Sequence, residues 1–211
     1  MRFKDRTEAG KKLAQALDMY RDQPAVVYAL PRGGVVLAVE IAQALHLPLD
    51  LVIPRKIGHP YNTEYAIGAV TEDGDPVYNQ WETARVEPHW LQQQVASERQ
   101  EARRRREQYL HGREPFFVAG KTAILVDDGI ATGLTMLAAI RDIKQRQPSR
   151  VVVAIPVAPR DTAERLLQEA DEVVGLEITD HYRGAVGAYY DYFPQVSDAE
   201  VIRLLPGVAA G

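Results

Sequence analysis

The run Ala123-Ile-Leu-Val-Asp127-Asp128-Gly129-Ile130-Ala131-Thr132-Gly133-Leu134-Thr135 constrains this chain more than any other part of it. An apolar stretch, two acids, a loop of small residues and a return to helical spacing read as a buried strand, a loop and a helix. A helix starting there aims free backbone N–H groups and a partial positive charge into the loop, which favours an anion. Gly129 and Gly133 let a phosphate approach the backbone closely, and Thr132 and Thr135 add hydroxyl donors. Asp127 and Asp128 would repel that phosphate if they faced it, so they suit hydroxyls further along the same ligand. Ribose 5-phosphate has that layout. Acids in this position also serve simply as caps of loops and helices. Set between an apolar strand and Gly-x-x-x-Gly followed by Thr, the pair favours a ligand. No Gly-x-x-x-x-Gly-Lys-Ser/Thr occurs and no Gly-x-Gly-x-x-Gly follows a strand, so the other common phosphate loops are unsupported.

The remaining pattern predicts how this unit is embedded. Asp5 and Glu8 have capping-box spacing ahead of a helix through Leu13, Ala16, Leu17 and Tyr20. Strands are expected over 25–30, 49–53, 122–126, 151–155 and 172–176, and helices over 35–45, 134–146 and 161–170. Arg55, Lys56, Gly58, His59, Pro60 and Asn62 read as a loop. Residues 66–71 and Val77-Tyr78, on either side of Glu72-Asp73-Gly74-Asp75, read as a hairpin. Residues 87–110, without glycine and rich in Gln, Glu, Arg and Ala, predict one long, mostly solvated helix. Ser197 and Glu200 form a second capping box before a closing helix. Strands alternating with helices imply an α/β fold with a mostly parallel central sheet flanked by helices. The expected organisation is one domain over 1–211, with a hairpin and long helix inserted at 72–118 and a small hood with closing helix at 178–211. Without cysteine there is no disulfide, thiolate zinc site or cysteine nucleophile. The polar start Met-Arg-Phe-Lys-Asp-Arg lacks the apolar core of a signal peptide, which makes the cytoplasm the expected compartment. The formal charge of −4 argues against bulk electrostatic binding of nucleic acid.

Arg32-Gly33-Gly34, after the first strand and before a helix, gives a second anion-type loop at the same sheet edge. Two such loops suit a ligand with phosphates at both ends. Val126 to Thr135 resembles the signature of type I phosphoribosyltransferases, close to the form found in adenine phosphoribosyltransferases. The opening Asp5-Arg-Thr-Glu-Ala-Gly-Lys-Lys-Leu-Ala, Leu30-Pro-Arg-Gly-Gly, Arg55-Lys-Ile-Gly and Gln195-Val-Ser-Asp are similar to a bacterial group of phosphoribosyltransferase-domain proteins.

The resemblance implies binding of 5-phosphoribosyl 1-diphosphate (PRPP) and transfer of its phosphoribosyl group to a nitrogenous base, with release of pyrophosphate. Asp127 and Asp128 would hold the ribose hydroxyls. Gly129, Ile130, Ala131, Thr132, Gly133, Leu134 and Thr135 would hold the 5′-phosphate, and Arg32, Gly33 and Gly34 the pyrophosphate. Arg55 and Lys56 resemble the basic pair of the family's mobile catalytic loop, and Glu64 resembles its general acid/base, although a surface glutamate is an equal reading. The family's 6-oxopurine enzymes carry aspartate where this chain has Ala131, which weighs against hypoxanthine or guanine. Magnesium is the implied cofactor, held mainly through the ligand with Asp127 and Asp128 as candidates, and a homodimer is the family's habit. Acceptor recognition is expected in the C-terminal hood and the mobile loop. Two other readings are a regulatory PRPP-binding protein that contacts RNA or another partner, and a hydrolase or phosphorylase of a phosphoribosylated compound.

Other features read as structural. Arg103 to Arg106 could follow a nucleic acid backbone, but Glu101 with Arg105, and Arg103 with Glu107, are spaced for pairing along a helix. The five histidines lack metal-ligand spacing. Tyr189, Tyr190, Tyr192 and Phe193 suit core packing or a subunit contact more than stacking on a base.

Overall fold

The structure is a computed structural model that describes residues 1–205. The last six residues of the expected 178–211 segment therefore lie outside the described residues. Helix α1 (Arg6–Ala16) starts at Asp5, whose carboxylate accepts from the Glu8 N–H at 2.8 Å. Glu8 reaches back one residue further than in a standard capping box, to the Lys4 N–H at 2.6 Å. Strand β1 (Ala25–Ala29) leads into α2 (Gly33–Leu45), and β2 (Leu49–Leu51) follows. After an excursion over residues 55–110 the chain returns as β6 (Thr122–Val126), α5 (Leu134–Gln145), β7 (Arg150–Pro159), α6 (Arg160–Leu167), β8 (Glu172–Thr179) and α7 (Asp198–Leu204). Ser197 caps α7 by accepting from the Glu200 N–H at 3.1 Å.

The central sheet has strand order β2-β1-β6-β7-β8, and every neighbouring pair is parallel. Its strands carry continuous apolar runs because both faces are covered. Alternate residues serve two different cores: Val27, Ala29, Ile124 and Val126 pack beneath α1 and α2, while Val26, Tyr28, Ala123 and Leu125 pack beneath α5 and α6. β7 and β8 are longer than their sequence pattern predicts, reaching Pro159 and Thr179.

The excursion holds a second, three-stranded antiparallel sheet of β3 (Arg55–His59), β4 (Asn62–Val70) and β5 (Val77–Tyr78). The predicted hairpin is its β4–β5 half. The segment expected as a loop, from Arg55, is instead strand β3, and a tight turn at Pro60-Tyr61 joins it to β4. The glycine and proline suggested a loop, but cross-strand pairing decides the state of such a short segment. A one-turn helix α3 (Gln80–Thr83) precedes α4 (Pro88–Leu110), the predicted long helix, capped by Glu87, which accepts from the His89 and Trp90 N–H groups. Helix α4 is mostly exposed, yet its C-terminal end is anchored by the buried Ala102, Tyr109 and Leu110. Asp50, fully buried, receives Arg106 at 3.3 Å, Arg113 at 3.4 Å and the Phe116 N–H at 2.9 Å, tying β2 to α4 and the segment after it.

Candidate active site

Parallel pairing of β1 with β6 sets their C-terminal ends side by side, so the loops that follow open onto one cleft of about 860 Å³. Asp127 and Asp128 lie on its floor, followed along the wall by Gly129, Ile130, Ala131 and Thr132, and then by Gly133 and Thr135. Leu134 faces a neighbouring cavity instead. The loop is fixed from behind: the Ile130 N–H donates to Val157 O at 2.9 Å, and Thr162 Oγ1 donates to Ala131 O at 3.0 Å. Gly133, at φ +80°, is the N-cap of α5 and offers no side chain to its first turn. That turn's N–H groups are left for an anion.

The two acids are held differently. Asp127 Oδ1 accepts from the Asp128 backbone N–H at 2.8 Å. Burial, then the neighbouring Asp128 charge, raise the Asp127 carboxyl well above the ordinary aspartate range, against the pull of that N–H and of Lys56. Asp128 is raised by burial, with Arg6 acting against it. Arg6 Nε donates to Asp128 Oδ2 at 2.8 Å, and Arg6 Nη1 donates to Pro194 O at 2.7 Å. The Tyr190 hydroxyl donates to Asp128 O at 2.6 Å. Arg6 is a site residue that the sequence pattern did not single out: 122 positions separate it from Asp128, and nothing local distinguishes it from other helix-start arginines.

The Pro31–Arg32 peptide is cis, and Leu30 and Pro31 are the parts of that loop that line the cleft. The Arg32 side chain lies 3.6 Å from Asp198 and does not line it. Gly33 and Gly34 pack against the acidic loop. A Cβ on Gly33 would overlap the Asp128 carboxylate, and one on Gly34 would come within 2.6 Å of Val126 O. Here the glycines permit contact between the two loops.

Arg55 and Lys56 also line the cleft. Arg55 Nε donates to Glu98 Oε2 at 2.8 Å, so α4 forms a wall of the site with Trp90, Gln94, Glu98 and Arg105. Glu64 is exposed on the outer part of β4 and is not brought to this cleft. The arginine run on α4 is matched by carboxylates: Arg103 with Asp73 at 3.0 Å, Arg104 with Glu101 at 2.7 Å, Arg105 with Glu101 at 2.8 Å and Arg106 with Glu72 at 3.3 Å. Asp73, from the hairpin turn, takes the place expected for Glu107. Arg104 and Arg105 together lower Glu101 to about 2. Tyr189 and Tyr190 are buried and Tyr192 is exposed, in keeping with a packing role for most of this cluster.

The phosphoribosyl transferase domain model matches residues 4–192. A Mycobacterium tuberculosis (strain H37Rv) protein named "Putative phosphoribosyl transferase Rv0571c" is 40% identical over 205 residues, 96% of this chain and 46% of that protein. The chain thus spans about half the length of the curated relatives it matches. The crystal structure of TT1426 from Thermus thermophilus superimposes with a TM-score of 0.83 and 43% identity, covering all of both chains. With the family's domain matched over most of its length, the chain belongs to the phosphoribosyl transferase domain family.

Proposed function

We propose that this chain binds PRPP in the cleft and transfers its phosphoribosyl group to a nitrogenous acceptor, releasing pyrophosphate. The observation that carries the reading is the pair Asp127 and Asp128 on the cleft floor, at the head of the loop that leads to a helix start no side chain caps. In this reading the 5′-phosphate sits on residues 129–135, and the two carboxylates accept from the ribose hydroxyls. The bond from the anomeric carbon to the pyrophosphate oxygen breaks, its electron pair leaving with pyrophosphate. A nitrogen lone pair of the acceptor forms the new bond from the opposite face, and the proton it sheds passes to solvent or a nearby base.

Positive charge grows on the ribose ring as the leaving group departs, and two carboxylates beneath the ring lower the energy of that state. Lys56 and Arg55, which line the cleft, offset the charge on pyrophosphate. Glu64 would reach the acceptor only if the β3–β4 arm folded over the cleft. Asp127, raised by burial and then by the Asp128 charge, would with Asp128 add carboxylate oxygens to a magnesium ion held mainly by ligand oxygens. Bound magnesium supplies neutralisation of the leaving group's charge. The pairing of Arg103, Arg104, Arg105 and Arg106 with carboxylates favours this reading over one in which that helix contacts RNA.

The test is pyrophosphate release from PRPP and magnesium with adenine, orotate, uracil, hypoxanthine, guanine, xanthine or nicotinate, and with no base. Release that depends on one base establishes the transferase, whereas release without any base would indicate hydrolysis. Asp127→Asn combined with Asp128→Asn should weaken PRPP binding in calorimetry. Unchanged affinity in that variant would remove the basis of the proposal.

A further inference from the structure

Among the described residues two aromatic side chains line the cleft, Phe193 and Trp90. The C-terminal ring is already in use. The Arg6 guanidinium carbon lies 3.7 Å from the Phe193 ring centre, and the Tyr190 ring stacks on Phe193 at 4.7 Å with an interplanar angle of 29°. Groups this close cannot share one face of a six-membered ring, so they cover opposite faces and leave a planar ligand only the edge. Arg6 cannot withdraw without releasing Asp128 and Pro194 O.

Trp90 is placed otherwise. It stands near the start of α4, partly exposed, and packs against the small core of Ile57, Ile67, Val70 and Val86. Such backing fixes the indole while part of it meets the cleft. Gln94 and Glu98 follow at intervals of four, on the same helix face, and both line the cleft. Glu98 is engaged with Arg55. Gln94 carries both a donor and an acceptor, as reading the edge of a heterocycle requires.

We propose that the phosphoribosyl acceptor is a planar nitrogen heterocycle that stacks on Trp90 and is read at its edge by Gln94. Helix α4, rather than the C-terminal aromatic segment, is then the specificity wall. This rests on the transferase reading above and adds to it which element selects the acceptor.

Trp81 is 83% exposed and outside the cleft lining, so Trp81→Phe leaves Trp90 as the single tryptophan reporter. Each base of the panel is titrated into that variant, loaded with ribose 5-phosphate, pyrophosphate and magnesium so that no transfer occurs. Emission from Trp90 should be quenched to saturation, most tightly by the base that best supports pyrophosphate release. Trp90→Ala should raise the acceptor KM by about 10- to 100-fold while the PRPP KM stays within about twofold, and Trp90→Phe should recover most of the loss. Absence of quenching by every base, or an unchanged acceptor KM in Trp90→Ala, overturns the proposal. Calorimetry of PRPP with the unsubstituted protein separates the two levels. Normal PRPP binding without quenching removes only the α4 assignment, whereas no PRPP binding removes the transferase reading and this one with it.

Discussion

Burial and the adjacent Asp128 charge make ionising Asp127 costly for the folded state in a way the unfolded chain avoids. The sign follows from proton binding. Between the ordinary aspartate pKa and the raised native one, the folded protein holds the proton more tightly, so stability falls as pH rises through that window. Asp127→Asn should therefore melt higher than the parent at pH 8, by about 2–4 °C for each kcal/mol regained in a chain of this size. The gain should shrink below pH ~4, and PRPP affinity should drop throughout. Thermal melts at the two pH values, with calorimetry beside them, check this, and a lower melting temperature at pH 8 would contradict it. At this scale the acids and the 129–135 loop were legible because strand, loop and helix are contiguous in the chain. Arg6 was not, because its partners Asp128 and Pro194 lie 122 and 188 positions away.

Among the elements, the alternation of apolar runs with helical spacing located every strand of the central sheet and every helix packed on it. It misjudged Arg55 to His59, where a glycine and a following proline outweighed a β preference that only pairing with β4 reveals. It located α4 as the long, mostly solvated helix it is, but not as a wall of the cleft, since a polar helix has no apolar stripe to declare such a role. What fixes α4 is Asp50, fully buried and surrounded by Arg106, Arg113 and the Phe116 N–H. Asp50→Ala leaves those partly buried guanidinium groups without their shared acceptor and should destabilise the protein by about 3–5 kcal/mol. Hydrogen exchange should show the increase concentrated in the C-terminal half of α4 and residues 111–116. A uniform increase across the molecule would mean that Asp50 supports the central sheet rather than the helix.

For the molecule as a whole, the parallel sheet is buried on both faces, whereas the smaller sheet ends in an arm whose tip carries Tyr61 at 94% exposure. Loop tips with few buried contacts open locally at little cost. Brief chymotrypsin treatment should cut after Tyr61 before any other site, and PRPP with magnesium should slow that cut if the arm closes over the ligand, the movement that would bring Glu64 to the acceptor. First cleavage within residues 122–160 would contradict the ranking of the two sheets. The match that places this chain in its family runs over residues 4–192 and so takes in both sheets and α4.

The contact of Arg6 with Asp128 and Pro194 bears on when a newly made chain becomes competent. A ribosome delivers the helix that carries Arg6 well before the acidic loop it pairs with. The Tyr190 hydroxyl on Asp128 O arrives 62 residues after Asp128, and the clasp at Pro194 shortly after that. A nascent chain can therefore assemble β1, β6 and β7 while its acids still lack the arrangement described above. Under the proposed function, PRPP binding would mature only once residue 194 has cleared the exit tunnel.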